Sequence, residues 1–186
     1  MGRESHADVH TIRDGVHEFM DGGVSTCLAR FRIGTVPRLL IVGAGPEAGP
    51  LLALAQVLGW RTVLVDHRPA AVKAVTTLAD EAMVANPSEA LARYAHASID
   101  ACVIMTHTAM QDVAALRAIA DRPVRYVGLL GPPARRDELL HLLNESERAV
   151  LRGRLRAPVG LKLGGQGPEA LALSIVAELD QYFSTR

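Results

Sequence analysis

The chain has 186 residues and a mass of 19.9 kDa, enough for one domain with a hydrophobic core and too few for two full-size domains. Hydrophobic residues make up 49% and charged residues 22%, which excludes a disordered, collagen-like or coiled-coil chain over most of the length. Lys+Arg and Asp+Glu both number 20, so the net charge is zero and no global field attracts nucleic acid or an anionic membrane surface.

Cys27 and Cys102 lie far apart and in no CxxC or CxxH spacing, so neither a disulfide framework nor a structural zinc site is expected, and a reducing, cytoplasmic setting fits. The N-terminus has no apolar signal core. The most apolar stretch, Leu39 to Trp60, is broken by Glu47 and two prolines, against a membrane span.

Residues 1–36 read as an arm or leader. His6, His10 and His17 stand among acids, and Asp21-Gly22-Gly23 interrupts any helix. A His6-x-x-x-His10 pair would share a helix face, but no defined ligand set accompanies it, and no metal is assigned. Residues 37–186 alternate short apolar runs with Ala- and Leu-rich helical stretches, the pattern of an α/β domain.

In chain order, the spacing predicts a strand at Leu39-Leu40-Ile41-Val42, a helix over Leu51 to Leu58, and a strand at Arg61 to Val65 closed by Asp66. A weak strand near Met83-Val84 precedes a helix capped by Ser88. Ala101 to Met105 is the next strand, Thr108 to Ala120 a helix, Arg125 to Leu130 a strand, and Pro133 to Asn144 a charged helix. After a linker of mixed charge, a short strand over Ala157 to Gly164 is expected, then the loop Gly164 to Gly167. A final helix opens at Pro168-Glu169, and its stripe Leu171, Ile175, Leu179, Phe183 should dock on the sheet. Trp60 and apolar helix faces would allow a homodimer, though burial within one chain is the simpler account.

Ligands of an open parallel sheet bind beyond the carboxyl ends of the strands. There the chain carries Gly43-x-Gly45-x-x-Ala48, whose small residues suit a tight turn, approach to a pyrophosphate and helix-to-strand packing. Asp66 follows roughly 20 residues on, where a carboxylate accepts adenosine ribose hydroxyls. Pro46 removes an amide from this cradle, and Pro50 falls within the first helical turns unless the helix starts near Gly49. Arg68 either binds a 2′-phosphate, stacks on a base, or is a solvated arginine, which leaves NAD and NADP undivided. His107 is placed to donate a hydrogen bond or move a proton, or is a hydrogen-bonded loop histidine. Arg135 and Arg136 open a helix against its dipole, either for an anionic ligand or paired with Asp137 and Glu138. Cys102, mid-strand, reads as an inert core thiol; Cys27 is less confined.

A set of residues recurs in order: Pro37-Arg38-Leu39-Leu40-Ile41-Val42-Gly43-Ala44-Gly45, Asp66-His67-Arg68-Pro69, Ala79-Asp80-Glu81, Met105-Thr106-His107, Tyr126 to Gly131, Ala157 to Leu161, Gly164, Pro168-Glu169, Ser174-Ile175 and Ala177-Glu178. With these residues the chain resembles the C-terminal Rossmann domain of the XdhC/CoxI family, accessory proteins of xanthine dehydrogenase and carbon monoxide dehydrogenase type molybdoenzymes. The resemblance implies a doubly wound, mostly parallel Rossmann-like sheet with helices on both faces. It also implies a non-catalytic chaperone that holds the molybdenum pterin cofactor, aids its sulfuration with a cysteine desulfurase, and passes it to a molybdoenzyme apo-subunit. Gly43, Gly45, Ala48, Asp66, Arg68, His107, Arg135 and Arg136 would line its ligand crevice. The chain departs from that pattern at Pro46, Ala48 and Pro132-Pro133-Ala134, and members of the family commonly carry a further N-terminal domain. An NAD(P)-dependent oxidoreductase is the alternative, although no Tyr-x-x-x-Lys pair accompanies the fingerprint; the only lysines are Lys73 and Lys162. A regulatory nucleotide-binding module is a third reading.

Overall fold

The computed structural model describes residues 36–94 and 99–185, together with the backbone of two strands nearer the N-terminus. The chain divides into two compact units, Met1–Val36 and Pro37–Arg186. In the first, β1 (Asp8–Arg13) and β2 (Val16–Met20) pair antiparallel, with an irregularity between Val9 and Thr11. No element was expected there from the sequence. Val9, Thr11, Ile12, Val16 and Phe19 are strand-favouring residues, spread too thinly among polar ones to declare themselves. The side chains of His6, His10, His17 and Cys27 lie outside the described residues.

The second unit is built on β3 (Arg38–Val42), whose Leu39, Leu40, Ile41 and Val42 are all buried. A strand apolar on both faces must be covered on both, and alternation divides its side chains between two cores. Leu40 and Val42 join one core with Cys102, Ile104, Val127 and Leu129; Leu39 and Ile41 join the other with Ala101, Val103, Met105 and Tyr126. Each aliphatic side chain buried in this way contributes about 1.5–3 kcal/mol.

The remaining strands are β4 (Arg61–Asp66), β5 (Glu81–Val84), β6 (Ala101–Ile104), β7 (Tyr126–Leu129) and β8 (Leu155–Arg156). They form one parallel sheet in the order β5-β4-β3-β6-β7-β8. This is the doubly wound arrangement, with its switch point between β3 and β6. On one face lie α1 (Ala48–Val57) and α7 (Pro168–Ser184), packed against each other. The other carries α3 (Pro87–Arg93), α4 (Ala109–Ala120), α5 (Pro133–His141) and α6 (Glu145–Leu151). A short helix, α2 (Pro69–Val75), follows β4. Three members of the α7 stripe dock as expected, since Ile175 and Leu179 are fully buried and Phe183 meets Trp60 edge to face at 5.0 Å, whereas Leu171 stays outside this core. Trp60 is therefore a core residue of the single chain.

Four local expectations change. The helix expected to be capped by Ser88 begins at Pro87, with Asn86 as its N-cap, because the fixed φ of proline already suits the first helical position. The mixed-charge linker contains α6, held by a capping box in which Asn144 accepts from the Glu147 amide and Glu147 accepts from the Asn144 amide, both at 2.8 Å. The last strand is Leu155–Arg156, not Ala157 to Gly164. Pro158 has no N–H for a ladder, and Gly160 at φ +103° turns the chain toward α7. Finally, α1 starts at Ala48, so Pro50 is the third helical residue, where a missing N–H leaves no intrahelical bond unmade. No helix of the described residues is long and apolar enough to cross a membrane.

Candidate functional site

Beyond β3 the chain turns sharply at Gly43, which has φ +115° and donates its N–H to the Val65 carbonyl at 2.7 Å. A Cβ here would lie 2.5 Å from the Met105 carbonyl oxygen and 2.8 Å from the Thr106 nitrogen. Glycine is required at this position because β3 and β6 part company at the switch point, with their outgoing backbones almost touching. The Ala44 amide goes to Asp66, and the Ala48 amide to the Gly45 carbonyl. Ala48 itself is fully buried, which makes the third position of the fingerprint a packing position. With Pro46 lacking an N–H, the loop has few amides left to offer an anion.

Asp66, at the end of β4, is only 3% exposed. Its Oδ2 accepts from the Ala44 amide and Arg68 Nη2, both at 2.7 Å; its Oδ1 accepts from the Arg68 amide at 2.8 Å and Arg68 Nε at 3.0 Å. Burial raises this carboxyl, but the Arg68 guanidinium and the two amides outweigh burial and bring it down to about 2. A ribose diol approaching Asp66 would have to displace Arg68.

On the other side of the switch point, Thr106 donates its amide and hydroxyl to Asp112 Oδ1, at the start of α4. Asp112 is 1% exposed, and its Oδ2 accepts from Arg135 Nη2 at 2.6 Å and Nε at 3.2 Å. Arg135 can lie across this segment because residue 131 is glycine: a Cβ there would come within 2.7 Å of Arg135 Cδ. His107 adopts φ +60°, an unusual backbone for a side chain with a Cβ. It brings Nε2 to 3.4 Å from Glu47 Oε2, beside Gly45, where a Cβ would lie 3.0 Å from the ring nitrogen.

Glu47, His107 and Arg135 open onto one cavity of about 480 Å³. Its other walls include Leu130, Pro132, Val159, Leu161 and Leu171, together with Gly160 and Ser174. Gly160 belongs there through its closeness to Ser174 of α7, against whose Oγ a Cβ would collide. Among the residues singled out from sequence, His107 and Arg135 line the cavity and Gly45 borders the Glu47–His107 pair. Gly43, Ala48, Asp66 and Arg68 cluster instead around the β3–α1 turn and the end of β4. Arg136 bonds Asp137 and the Ala157 carbonyl and is not a lining residue. Glu47, Leu161 and Ser174 carry no site signal of their own in the sequence, and Leu171, expected to dock on the sheet, lines the cavity instead. Leu171 and Ser174 stand one helical turn apart on α7, a spacing that also fits an ordinary core face. Among the described residues no cluster of three or more His, Cys, Asp or Glu could hold a metal ion.

The family model described as the XdhC Rossmann domain matches residues 39–179, from β3 to near the end of α7. The chain belongs to the XdhC family. Among its XdhC-like relatives is a Bacillus subtilis (strain 168) protein named as a probable xanthine dehydrogenase subunit, 34% identical over 151 residues, which are 81% of this chain and 44% of that protein. YqeB of Escherichia coli (strain K12) is 31% identical over 156 residues, covering 80% of this chain and 28% of that one. The chain thus spans less than half the length of these curated relatives. A Bacillus halodurans protein whose crystal structure was described as a xanthine dehydrogenase superposes with TM-score 0.72 at 30% identity, over 92% of this chain and 56% of that one. A short-chain dehydrogenase/reductase from Vibrio parahaemolyticus, at TM-score 0.55 and 13% identity, shares the fold alone, over 75% of this chain and 91% of that one. The XdhC match makes this chain a relative of xanthine dehydrogenase accessory proteins, with their Rossmann-like domain.

Proposed function

We propose that this domain holds the molybdenum pterin cofactor during maturation of a molybdenum hydroxylase of the xanthine dehydrogenase or carbon monoxide dehydrogenase type. In this role it aids sulfuration or insertion of the cofactor and catalyses no reaction of its own. Its partners are the apo-subunit of that enzyme and a cysteine desulfurase. The observation that carries the reading is the cavity at the switch point of a domain belonging to the XdhC family.

The residues present suit such a group. Leu130, Val159, Leu161 and Leu171 offer apolar walls to a ring system, the Glu47 carboxylate can accept ring N–H groups, and the Arg135 guanidinium can meet an anionic substituent. Glu47 and Arg135 would orient the ring, His107 would stand at the rim to donate or accept a proton, and the apolar walls would exclude water. When bound, the cofactor supplies the molybdenum centre of the enzyme that receives it. Native mass spectrometry of the protein after exposure to the isolated cofactor tests this reading: a retained one-to-one complex supports it, and no retained mass overturns it.

A further inference from the structure

The β8 edge of the sheet carries a basic run that the switch-point site does not use. From Arg148 to Arg156 the chain has four arginines and no acidic residue. Two of them are engaged within the fold. Arg148 donates to the Leu140 and Leu143 carbonyls at the end of α5, and Arg154 donates to the Ala120, Arg122 and Val124 carbonyls at and beyond the end of α4. Helix ends of this kind carry the negative pole of the backbone dipole, so both cations have a structural reason. Arg152 and Arg156 have none of that weight. Both are exposed; Arg156 bonds the Gly153 carbonyl at 3.1 Å, and the Arg152 side chain meets no hydrogen-bond or ionic partner among the described residues. Nor does a carboxylate of those residues pair with any of the four arginines. Glu145 and Glu147 stand at the opposite end of α6, and Glu147 faces Arg117.

Beside these arginines is a second cavity, of about 300 Å³, lined by Leu140, Arg148, Leu151, Arg152, Gly153 and Leu155. It shares no residue with the cavity at the switch point. Three leucines and two arginines in one wall suit an apolar side chain with anionic groups next to it. The backbone alongside is open as well. β8 is the last strand of the sheet, and Val127 donates its amide to the Arg154 carbonyl at 2.9 Å. In a parallel ladder alternate residues bond the neighbouring strand, so Leu155, opposite Val127, turns its N–H and C=O to the free side. An extended chain laid there can bond Leu155 while its side chains reach the leucines and the arginines. No aromatic ring lines the cavity for a base to stack on, and the net charge of the chain is zero, which favours an acidic protein segment over nucleic acid.

We infer that the β8 edge is a docking surface for a partner protein. It takes an extended acidic segment, one apolar side chain of which enters the leucine-lined cavity while neighbouring carboxylates meet Arg152 and Arg156. This goes beyond the maturation reading and does not depend on what the switch-point cavity holds.

The test is an amide-resolved NMR titration of the full chain with the end-blocked peptide Asp-Glu-Leu-Asp-Glu. The expected result is saturable shifts at the amides of Leu140, Arg152 and Leu155, slower hydrogen exchange of the Leu155 amide in the complex, and an affinity that falls as salt is added. Arg152→Glu and Arg156→Glu should each weaken binding by about tenfold with unchanged thermal melts, since both side chains are exposed. Arg93→Glu, the same charge change at an exposed arginine of α3, should leave binding as it was. Absence of saturable shifts, shifts centred on another face, equal losses in all three variants, or equal binding of Lys-Lys-Leu-Lys-Lys would overturn the inference. Tighter binding of oligothymidylate than of the acidic peptide at the same amides would overturn it too, by making the edge a nucleic-acid surface. The peptide titration of the unsubstituted chain decides the matter even where a variant fails to fold.

Discussion

Arg68 grips Asp66 from two directions, with Nε 3.0 Å from one carboxylate oxygen and Nη2 2.7 Å from the other. The acid that in a dinucleotide-binding domain would face the ribose is here a structural ion pair joining the end of β4 to the β3–α1 turn. Burial alone would raise its carboxyl, yet the Arg68 guanidinium and the amides of Ala44 and Arg68 bring it down from 3.8 to about 2.

Because the folded state holds Asp66 more acidic than the unfolded chain does, its bonds stabilise the fold fully above pH ~4, and that contribution is lost as the pH falls toward ~2. We expect Asp66→Asn to lower stability at neutral pH by about 2 kcal/mol, with the gap to the wild type narrowing across that window. Urea unfolding at a series of pH values measures both curves; parallel curves from neutral to pH ~2 would contradict the assignment.

Gly43→Ala should destabilise by about 3 kcal/mol or more, since it adds a clash with the Met105 carbonyl to an unfavourable positive φ. Gly59→Ala is the control: φ is +71° but nothing lies within 4 Å of the added Cβ, so only the conformational penalty of about 1 kcal/mol applies. Equal losses in the two variants would show that the close approach at the switch point relaxes freely.

Removing Arg135 leaves Asp112 buried without its cation. Arg135→Met should therefore lose about 2–3 kcal/mol, and Asp112→Asn in the same chain should recover part of that loss, because the uncompensated charge is gone. A double-mutant cycle by denaturant unfolding gives the coupling; strict additivity would mean that the pair does not interact.

His107 holds φ +60° with a Cβ in place, a strain of about 1 kcal/mol. His107→Gly should consequently be no less stable than the wild type, whereas β-branched His107→Val should be clearly less stable. Thermal melts of both variants check the order.

Cys102 is completely buried on β6, and burial pushes its thiol far above the usual range. Iodoacetamide at mildly alkaline pH should leave it unmodified in the folded protein and alkylate it once denaturant is added. Peptide mass spectrometry reads the site directly.

The switch between two kinds of pattern was legible along the chain. The apolar runs at Leu39–Val42, Ala101–Ile104 and Val127–Leu129 are strands buried on both faces, and such strands carry their own signature in composition. Elements whose stability comes mainly from their caps and neighbours escaped. The α6 helix is seven residues of mixed charge, and only the reciprocal Asn144–Glu147 bonds mark its start. For β8, two residues long, the ladder to Val127 and Gly128 decides everything.

For the site, residue type and order along the chain placed His107 and Arg135 beyond the strand ends, where the sheet topology does bring them. Local sequence alone thus determined the α/β class, the buried strands and the glycine turn, because backbone conformation and the demand to bury apolar side chains act over a few residues. The closing of Asp66 by Arg68 and the joining of Glu47, Leu161 and Leu171 around one cavity were decided only in three dimensions. A carboxylate two positions from an arginine can turn to it or to solvent, and residues more than a hundred positions apart meet only when β3, β7 and α7 pack.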